Sequence, residues 1–173
     1  MTSDVVVRTA TLDDVEEVAR LFRGYLEFYE CPREPAAVTA YLTARIANGE
    51  SVVLIAEAPA AEAPAAEVPA TEDPAADGPA HRGAALGFAQ CYPTWASLEL
   101  APAWVLYDLF VDPAARGRGV GRVLLRAVAE RARAAGATTA VLETAHTNTA
   151  AQALYESEGW VPDTTYRTYA LTL

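Results

Sequence analysis

The chain has 173 residues, with 23 acidic and 13 basic side chains, and its formal net charge is −10. This length suits one domain, and the negative charge argues against nucleic acid or an anionic membrane as a partner held by overall charge. Two cysteines are too few for a disulfide framework, so we expect a cytoplasmic protein with reduced thiols. The sequence predicts neither a membrane span nor a signal peptide.

The first predicted elements are a strand and two helices. Residues 4–9 are rich in β-branched side chains and predict the first strand. Apolar residues at helical spacing predict a helix over 12–29, with Thr11 as its N-cap and acids in its first turn. A second helix, over about 36–47, follows two prolines and ends at an Asn-Gly pair.

A segment rich in alanine and proline lies between the apolar runs 51–57 and 84–92, which predict the second and third strands. Within about 57–83, proline recurs every five residues and an acid keeps the same spacing. Repeated proline prevents a stable helix, and large apolar side chains are almost absent. We therefore expect a disordered insert inside one domain that spans 1–173. A neutral insertion and a docking segment are its alternative roles.

The second half of the chain continues the alternation of strands and helices. Residues 104–111 predict a fourth strand that ends before Pro113, and residues 119–135 predict a helix that ends at a glycine. The remaining predicted elements are a strand, a short helix and two final strands, over 138–144, 148–158 and the tail from 160. The resulting order, β-α-α-β-β-β-α-β-α-β-β, is that of a mixed α/β domain.

A turn rich in glycine and arginine lies between the fourth strand and the following helix. Its residues are Arg116, Gly117, Arg118, Gly119, Val120 and Gly121. Glycine lets the backbone approach a ligand closely, and a helix N-terminus directs N–H groups and a partial positive charge at it, which is typical of a phosphate or pyrophosphate site. A P-loop is excluded because the chain has no lysine. A loose dinucleotide-binding motif and a purely structural turn remain alternatives.

The sequence R-G-R-G-V-G at 116–121 resembles the Arg/Gln-x-x-Gly-x-Gly/Ala signature of the GNAT N-acetyltransferase superfamily. The segment from Asn148 to Trp160 is similar to that family's second signature, in which an Asn precedes a Tyr by seven residues. The element order agrees over nearly the whole chain. The motifs most resemble the small-amine and histone-like branch, so the resemblance implies a homodimer and a mostly antiparallel sheet with splayed fourth and fifth strands.

The resemblance also implies a cofactor, acetyl-CoA, that lies between the splayed strands. Backbone N–H groups of the glycine-rich turn would hold its pyrophosphate. Tyr155 resembles the family's general acid, which protonates the leaving thiolate, and a positioned phenol suits this task. The other residues implied in cofactor binding are Leu109, Phe110, Val111, Asn148 and Ala151.

The general base is left open by these motifs. A spermidine/diamine-acetyltransferase branch carries a Glu-Asp pair on the fourth strand, and the corresponding residues here are Tyr107 and Asp108. The candidates are Asp108, Glu143 and a chain of water molecules. Asp108 adjoins the expected site, but side chains alternate between the two faces of a strand, so the sequence does not decide whether Asp108 lies on the face of the site. Further residues that would form an aromatic, anionic pocket for a cationic amine are Tyr25, Phe28, Tyr29, Glu30, Tyr92 and Trp95. Of these, Tyr25 and Phe28 equally suit packing on the sheet.

The sequence therefore predicts an acetyl-CoA-dependent N-acetyltransferase that acts directly on a primary amine. The expected acceptor is a small molecule (a small amine, a polyamine or an amino acid) or a peptide with a lysine side chain. Neither nucleic acid nor a membrane is an expected partner. We expect no metal, because no His/Cys/Asp cluster has ligand spacing. A non-catalytic acyl-CoA sensor is the alternative function.

Overall fold

The computed structural model describes residues 5–59 and 83–172. The chain divides into two compact units, one that extends to Glu143 and one that begins at Thr144. Most of the predicted insert lies outside the described residues, and the single-domain organisation stays a prediction. Within the described ranges, no helix is both long and apolar enough to cross a membrane.

The first unit contains a five-stranded sheet with helices on its two faces, and the mixed α/β fold predicted from the sequence is confirmed. Its strands are β1 (Val6–Thr9), β2 (Val52–Glu57), β3 (Ala85–Ala96), β4 (Ala101–Val111) and β5 (Thr139–Leu142). Its helices are α1 (Val15–Phe28), α2 (Pro35–Ala47) and α3 (Val120–Ala134). Short 3-10 turns precede two of them, at Leu12–Asp14 and Pro113–Ala115. The second unit carries α4 (Thr149–Ser157).

The strand order is β1-β2-β3-β4-β5, with antiparallel pairing throughout except between β4 and β5, which are parallel. The pairing of β4 with β5 ends at Leu106 and Leu142, although β4 continues to Val111. A register shift in the pairing of β3 with β4 leaves Tyr107 without a partner in β3. Such a β-bulge bends a strand and terminates pairing. The bulge therefore lies where β4 and β5 cease to pair, as expected for splayed strands.

Helices cover both faces of the sheet. On one face, Ile55, Phe88 and Phe110 are aligned across neighbouring strands and share a core with α1 and α2. Gly87 faces the opposite way, because a Cβ added there would lie 3.4 Å from Leu124 Cδ1 of α3. On that face α3 buries a stripe at helical spacing, formed by Val120, Leu124, Leu125, Val128 and Ala132.

An ion-pair network joins the first strand to the second. The Arg8 guanidinium donates to Asp14 at 2.7 and 2.8 Å and to Glu57 at 2.5 and 3.1 Å. The backbone N–H of Thr11 also donates to Asp14, at 2.7 Å, as in a capping box. These hydrogen bonds, that from Arg8 first, hold the pKa of Asp14 well below its usual range. Glu57, at the predicted start of the insert, is thus a buried residue of β2.

The two strands predicted for the tail are absent from the described residues, since residues 160–172 form neither helix nor strand. Instead, the Asp163 side chain accepts hydrogen bonds from the backbone N–H groups of Thr165, at 2.7 Å, and Tyr166, at 3.1 Å. Local bonds of this kind compete with a strand ladder. The tail is rich in Thr and Tyr, which are typical of strands, but a strand also needs a pairing partner, which composition does not supply.

Candidate active site

The turn that leads into α3 has a backbone that requires glycine. Gly117 and Gly119 have φ values of 73° and 81°, in the left-handed region, and Gly119 is the N-cap of α3. A side chain is strained in that conformation. A Cβ added at either glycine would meet nothing within 4 Å, so the space beside the turn is open to a ligand.

The N–H groups of this turn form a set of donors. Among the described residues, the backbone N–H groups of Gly117, Arg118 and Gly119 have no backbone acceptor, and those of Val120 and Gly121 lie in the first turn of α3, where N–H groups have no partner within the helix. The N–H of Arg116 instead donates to the Pro113 carbonyl at 3.4 Å, so the available donors begin one residue later than the signature suggested. Consecutive N–H groups at a helix N-terminus suit an anion such as a pyrophosphate.

The Arg116 side chain ties the turn to β4 and α1. Its Nε donates to the Val111 carbonyl at 3.2 Å. Its guanidinium carbon lies 6.0 Å from the ring centre of Phe28 and 5.9 Å from that of Phe110. These are cation–π distances, so the arginine holds the turn against two aromatic rings.

Asp112 fixes the start of the same turn. Its carboxylate accepts from the Ala114 N–H and from Arg20 of α1, each at 3.0 Å. These hydrogen bonds, that from Ala114 first, lower the pKa of Asp112. A cavity of about 360 Å³ lies between this turn and the C-terminal half of α1, and its lining includes Glu27 and Phe28.

Asp108 lies on β4 immediately after the bulge, and its side chain is 6% exposed. It shares the α1-facing side of the sheet with Phe110, whereas Tyr107 is 69% exposed. The Tyr25 hydroxyl of α1 donates a hydrogen bond to it. Burial raises the pKa of Asp108 to about 6, and the bond from Tyr25 opposes that rise only in part. A carboxyl group with such a pKa suits a general base near neutral pH.

The predicted aromatic residues of α1 divide between the core and the surface. The Tyr25 ring packs edge-on against Phe88 and Phe110, with ring centres 6.2 and 6.5 Å away, beside Asp108. Phe28 and Tyr29 are 55% and 43% exposed. The exposed Glu30, which follows them, adopts a positive φ of 56°.

The other predicted acceptor residues are spread along the sheet. Tyr92 accepts a hydrogen bond from Gln90 Nε2 at 2.9 Å, which places its hydroxyl near the buried part of β3. Trp95 is 73% exposed and lies five residues beyond Gln90 along β3, about 17 Å at the usual rise per residue. The structure therefore does not bring Trp95 together with Asp108. Glu143 is exposed and directly follows the last residue of β5.

Gln90 is a site residue that the sequence patterns did not single out. It is fully buried on β3, directly opposite Asp108 in the register. Its one signal in the sequence is that it is the polar residue within an apolar strand, where a buried polar group needs a partner.

In the second unit, the Asn-to-Tyr signature is carried by α4. The Asn148 side chain caps the helix by accepting a hydrogen bond from the Ala151 N–H at 3.3 Å. Seven residues are about two helical turns, so Tyr155 lies on the same side of the helix as the cap. The Tyr155 ring is half-buried, with its centre 6.5 Å from that of Trp160.

The two cysteines are free thiols, Cys31 exposed and Cys91 buried. Burial raises the pKa of Cys91 to about 12, which disfavours the reactive thiolate. Among the residues with described positions, no group of three or more His, Cys, Asp or Glu side chains is placed to hold a metal ion.

Comparisons with known proteins identify the family. The model of the Acetyltransferase (GNAT) family matches residues 75–160. A Bacillus subtilis (strain 168) protein described as "Uncharacterized N-acetyltransferase YhfO" is 35% identical over 167 residues, which are 96% of this chain and 97% of that protein. The chain belongs to the GNAT acetyltransferase family. Acetyl-CoA is the donor that GNAT acetyltransferases use, and the N–H groups of the glycine-rich turn fit its pyrophosphate.

Solved structures agree with the GNAT assignment. One described as "a probable acetyltransferase" has a TM-score of 0.79 and 31% identity, with 97% of both chains covered. A ribosomal-protein-alanine N-acetyltransferase from Brucella melitensis biovar Abortus 2308 has a TM-score of 0.73, with 98% of this chain and 99% of that chain covered. Its identity is 20%, so the likeness is one of fold. The homodimer and the cytoplasmic location of this GNAT protein stay predictions.

Proposed function

We propose that this GNAT protein transfers an acetyl group from acetyl-CoA directly to a primary amine, with Asp108 as the general base and Tyr155 as the general acid. The observation that carries the proposal is the buried Asp108 beside the β4 bulge, with its pKa raised to about 6. Glu143, the other carboxylate candidate, is exposed. Of the two, only Asp108 is buried in the way that raises the pKa of a carboxyl group toward neutral pH.

Acetyl-CoA supplies the acetyl group as a thioester. The N–H groups from Gly117 to Gly121 hold the pyrophosphate, and the part of β4 that extends beyond its pairing with β5, including Leu109 and Val111, offers backbone groups to the pantetheine arm. By the family's second signature, we also propose Asn148 and Ala151 of α4 as cofactor contacts. The side-chain Oδ1 of Asn148 accepts a hydrogen bond from the Ala151 N–H within α4, so the side-chain Nδ2 is the group proposed to donate to the cofactor.

The proposed proton transfers balance over one turnover. Asp108 takes a proton from the ammonium form of the acceptor, which frees the nitrogen lone pair to attack the thioester carbonyl. Tyr155 gives its hydroxyl proton to the sulfur as the carbon–sulfur bond breaks. Its phenolate then takes one of the two protons on the acylated nitrogen, which leaves a neutral amide N–H. Asp108 returns its proton to solvent. No acyl-enzyme is needed, in keeping with a buried, protonated Cys91.

The acceptor is proposed to be a small cationic amine, as in the small-amine and histone-like branch. Phe28 and Tyr29 have exposed rings at the end of α1, and Glu27 and Glu30 add negative charge there beside Arg20 and Arg116 of the same region. Aromatic rings and carboxylates together attract an ammonium group. The absence of an acid at Tyr107 argues against the Glu-Asp arrangement of polyamine acetyltransferases.

The proposal is tested by measuring CoA thiol release from acetyl-CoA with a panel of polyamines, amino acids, aminoglycosides and lysine peptides. We expect release that depends on the amine, with an acetylated product identified by mass spectrometry. Binding of acetyl-CoA without release for any amine would contradict the proposal and favour a non-catalytic sensor.

A further inference from the structure

Gln90 and Asp108 lie side by side on the buried face of the sheet. They are Cα partners in the antiparallel pairing of β3 with β4, and both are buried, with Gln90 at 0% exposure. Side chains of directly paired residues share one face, with Cβ atoms about 4.5–5.5 Å apart. The Gln90 amide and the Asp108 carboxyl are therefore immediate neighbours.

The Gln90 side chain uses only one end of its amide. Its Nε2 donates to Ser51 Oγ at 3.2 Å and to the Tyr92 hydroxyl at 2.9 Å. Its Oε1 is buried and has no hydrogen-bond donor among the described residues. A buried acceptor without a donor is unfavourable, and such a group calls for an explanation.

Among the residues that the structure describes, Tyr25 of α1 donates a hydrogen bond to the ionised form of Asp108. On β3, Cys91 and Tyr92 are close enough for the charge of Asp108 to help raise their pKa values, and Tyr92 is hydrogen-bonded to Tyr41 of α2. None of these neighbours is an acid or an arginine. When Asp108 is protonated, its O–H group can donate a hydrogen bond to the Gln90 Oε1, which otherwise has no donor among the described residues.

We propose that Gln90 is a positioning residue for Asp108. Once the Asp108 carboxyl has taken a proton from the acceptor amine, its O–H donates a hydrogen bond to Oε1 of Gln90. The proton moves from nitrogen to an Asp108 oxygen, and no bond is made to Gln90. The hydrogen bond stabilises the protonated form, whereas the oxygen repels the ionised form. The pairing thus keeps the base in a range in which it accepts and returns a proton near neutral pH. Only its use in catalysis rests on the proposed function.

The opposite orientation of the amide would act in the opposite direction. With Nε2 turned to Asp108, the amide would donate to the carboxylate and lower its pKa. The Ser51 and Tyr92 hydroxyls can donate as well as accept, so they would serve Oε1 equally well. The sign of the change on removing the amide therefore separates the two arrangements.

The test is a carbon-13 NMR titration of the aspartate carboxyls in the full-length protein without substrates, with the Asp108 signal assigned by its loss in Asp108→Asn. In Gln90→Met, which is similar in size, the Asp108 midpoint is expected to fall by about one pH unit. The control is Val53→Ala, which alters the residue paired with Gln90 on β2 and is expected to leave the midpoint unchanged. An unchanged or raised midpoint in Gln90→Met would overturn the inference.

Kinetics distinguish this inference from the proposed function. If Asp108 is the base, the acidic limb of kcat/KM in Gln90→Met moves down with the NMR midpoint. A midpoint that falls while the limb stays in place supports the pairing and contradicts the role of Asp108 as base.

A second variant serves if Gln90→Met does not fold. Gln90→Glu places a carboxyl where Oε1 lies, so it would share a proton with Asp108, and one of the two would titrate at least about one unit above wild-type Asp108. Two carboxyls that titrate independently would show that the side chains do not face each other, which overturns the inference.

Discussion

At the scale of single residues, the proposed chemistry depends on the position of one carboxyl group on β4. Asp108 follows the bulge at Tyr107, faces α1 and is removed from solvent, which raises its pKa to about 6. At pH 7 Asp108 is then ionised in most molecules and can accept a proton. Its raised pKa also makes it a stronger base than an ordinary carboxylate. Its low exposure thus has a direct chemical consequence.

Tyr155→Phe removes the proposed acid while keeping the ring that packs near Trp160. We expect kcat to fall by about 100-fold or more, since loss of a positioned proton donor typically costs that much, with unfolding temperature and acetyl-CoA affinity unchanged. Steady-state kinetics with the preferred amine measure the first effect, and thermal unfolding and a binding titration measure the others. Full turnover in the variant would exclude Tyr155 as the acid.

The site residues differ in how far the sequence reveals them. The glycine-rich turn and the Asn-to-Tyr spacing are local patterns, so they are legible without a structure. The face of the sheet on which Asp108 lies could not be predicted, because the bulge at Tyr107 interrupts the simple alternation of side chains along β4. Gln90 was missed because its partner, Asp108, lies 18 positions away and meets it only through strand pairing.

At the scale of elements, the N-terminus of α3 is the part proposed to bind the cofactor pyrophosphate. Gly119→Ala puts a Cβ on a residue with φ of 81°, at a cost of about 1–2 kcal/mol unless the turn shifts. A shifted turn aims its N–H groups elsewhere, so we expect acetyl-CoA affinity to weaken by about tenfold. Isothermal titration calorimetry measures it.

Gly136→Ala is the matched control for this variant. Gly136 lies beyond the other end of α3 with φ of 77°, and an added Cβ there also meets nothing within 4 Å. The two variants should lose similar stability, but only Gly119→Ala should lose affinity. Equal affinity in both variants would argue against the turn as the pyrophosphate site.

The network of Arg8, Asp14 and Glu57 predicts acid sensitivity of the first unit. Because the pKa of Asp14 is depressed in the folded state, its stabilisation is complete above its unfolded pKa of about 3.9 and is lost as pH falls through the folded value. Asp14→Asn should lower the free energy of unfolding by about 3 kcal/mol at pH 7, measured by urea denaturation, and flatten its decline in acid.

Glu16→Gln controls for the loss of one negative charge in the same region, because Glu16 is exposed in the first turn of α1. It should change stability by less than about 0.5 kcal/mol. Similar losses in the two variants would mean that the network adds nothing beyond net charge.

At the scale of the whole molecule, the order of strands and helices up to α4 could be predicted from the sequence, because strand and helix periodicities are local. The structure of the tail could not be predicted in this way, because its Thr and Tyr residues favour a strand without supplying a pairing strand. Among the described residues, Asp163 instead accepts hydrogen bonds from nearby backbone N–H groups. The pairing of β4 with β5 was likewise implied only by the family resemblance, since parallel pairing joins residues far apart in sequence.

Replacing residues 60–82 with a short Gly-Ser turn should leave the first unit intact. The flanking residues already meet, since the Ala58 N–H donates to the Ala84 carbonyl at 2.9 Å at the end of the β2–β3 pairing. We expect an unfolding temperature within a few degrees of the wild type and unchanged acetyl-CoA affinity. Loss of cooperative unfolding or of binding would show that this segment contributes to the fold.

The central claim, that Asp108 is the base of an amine acetyltransferase, is tested most directly by the pH dependence of kcat/KM in the wild type and in Asp108→Asn. In the wild type, kcat/KM should rise with pH through about 6, as Asp108 ionises. In the asparagine variant, that limb should vanish and the rate should fall by about 10²–10⁴-fold. A variant that keeps both the limb near pH 6 and most of the wild-type rate would contradict the claim.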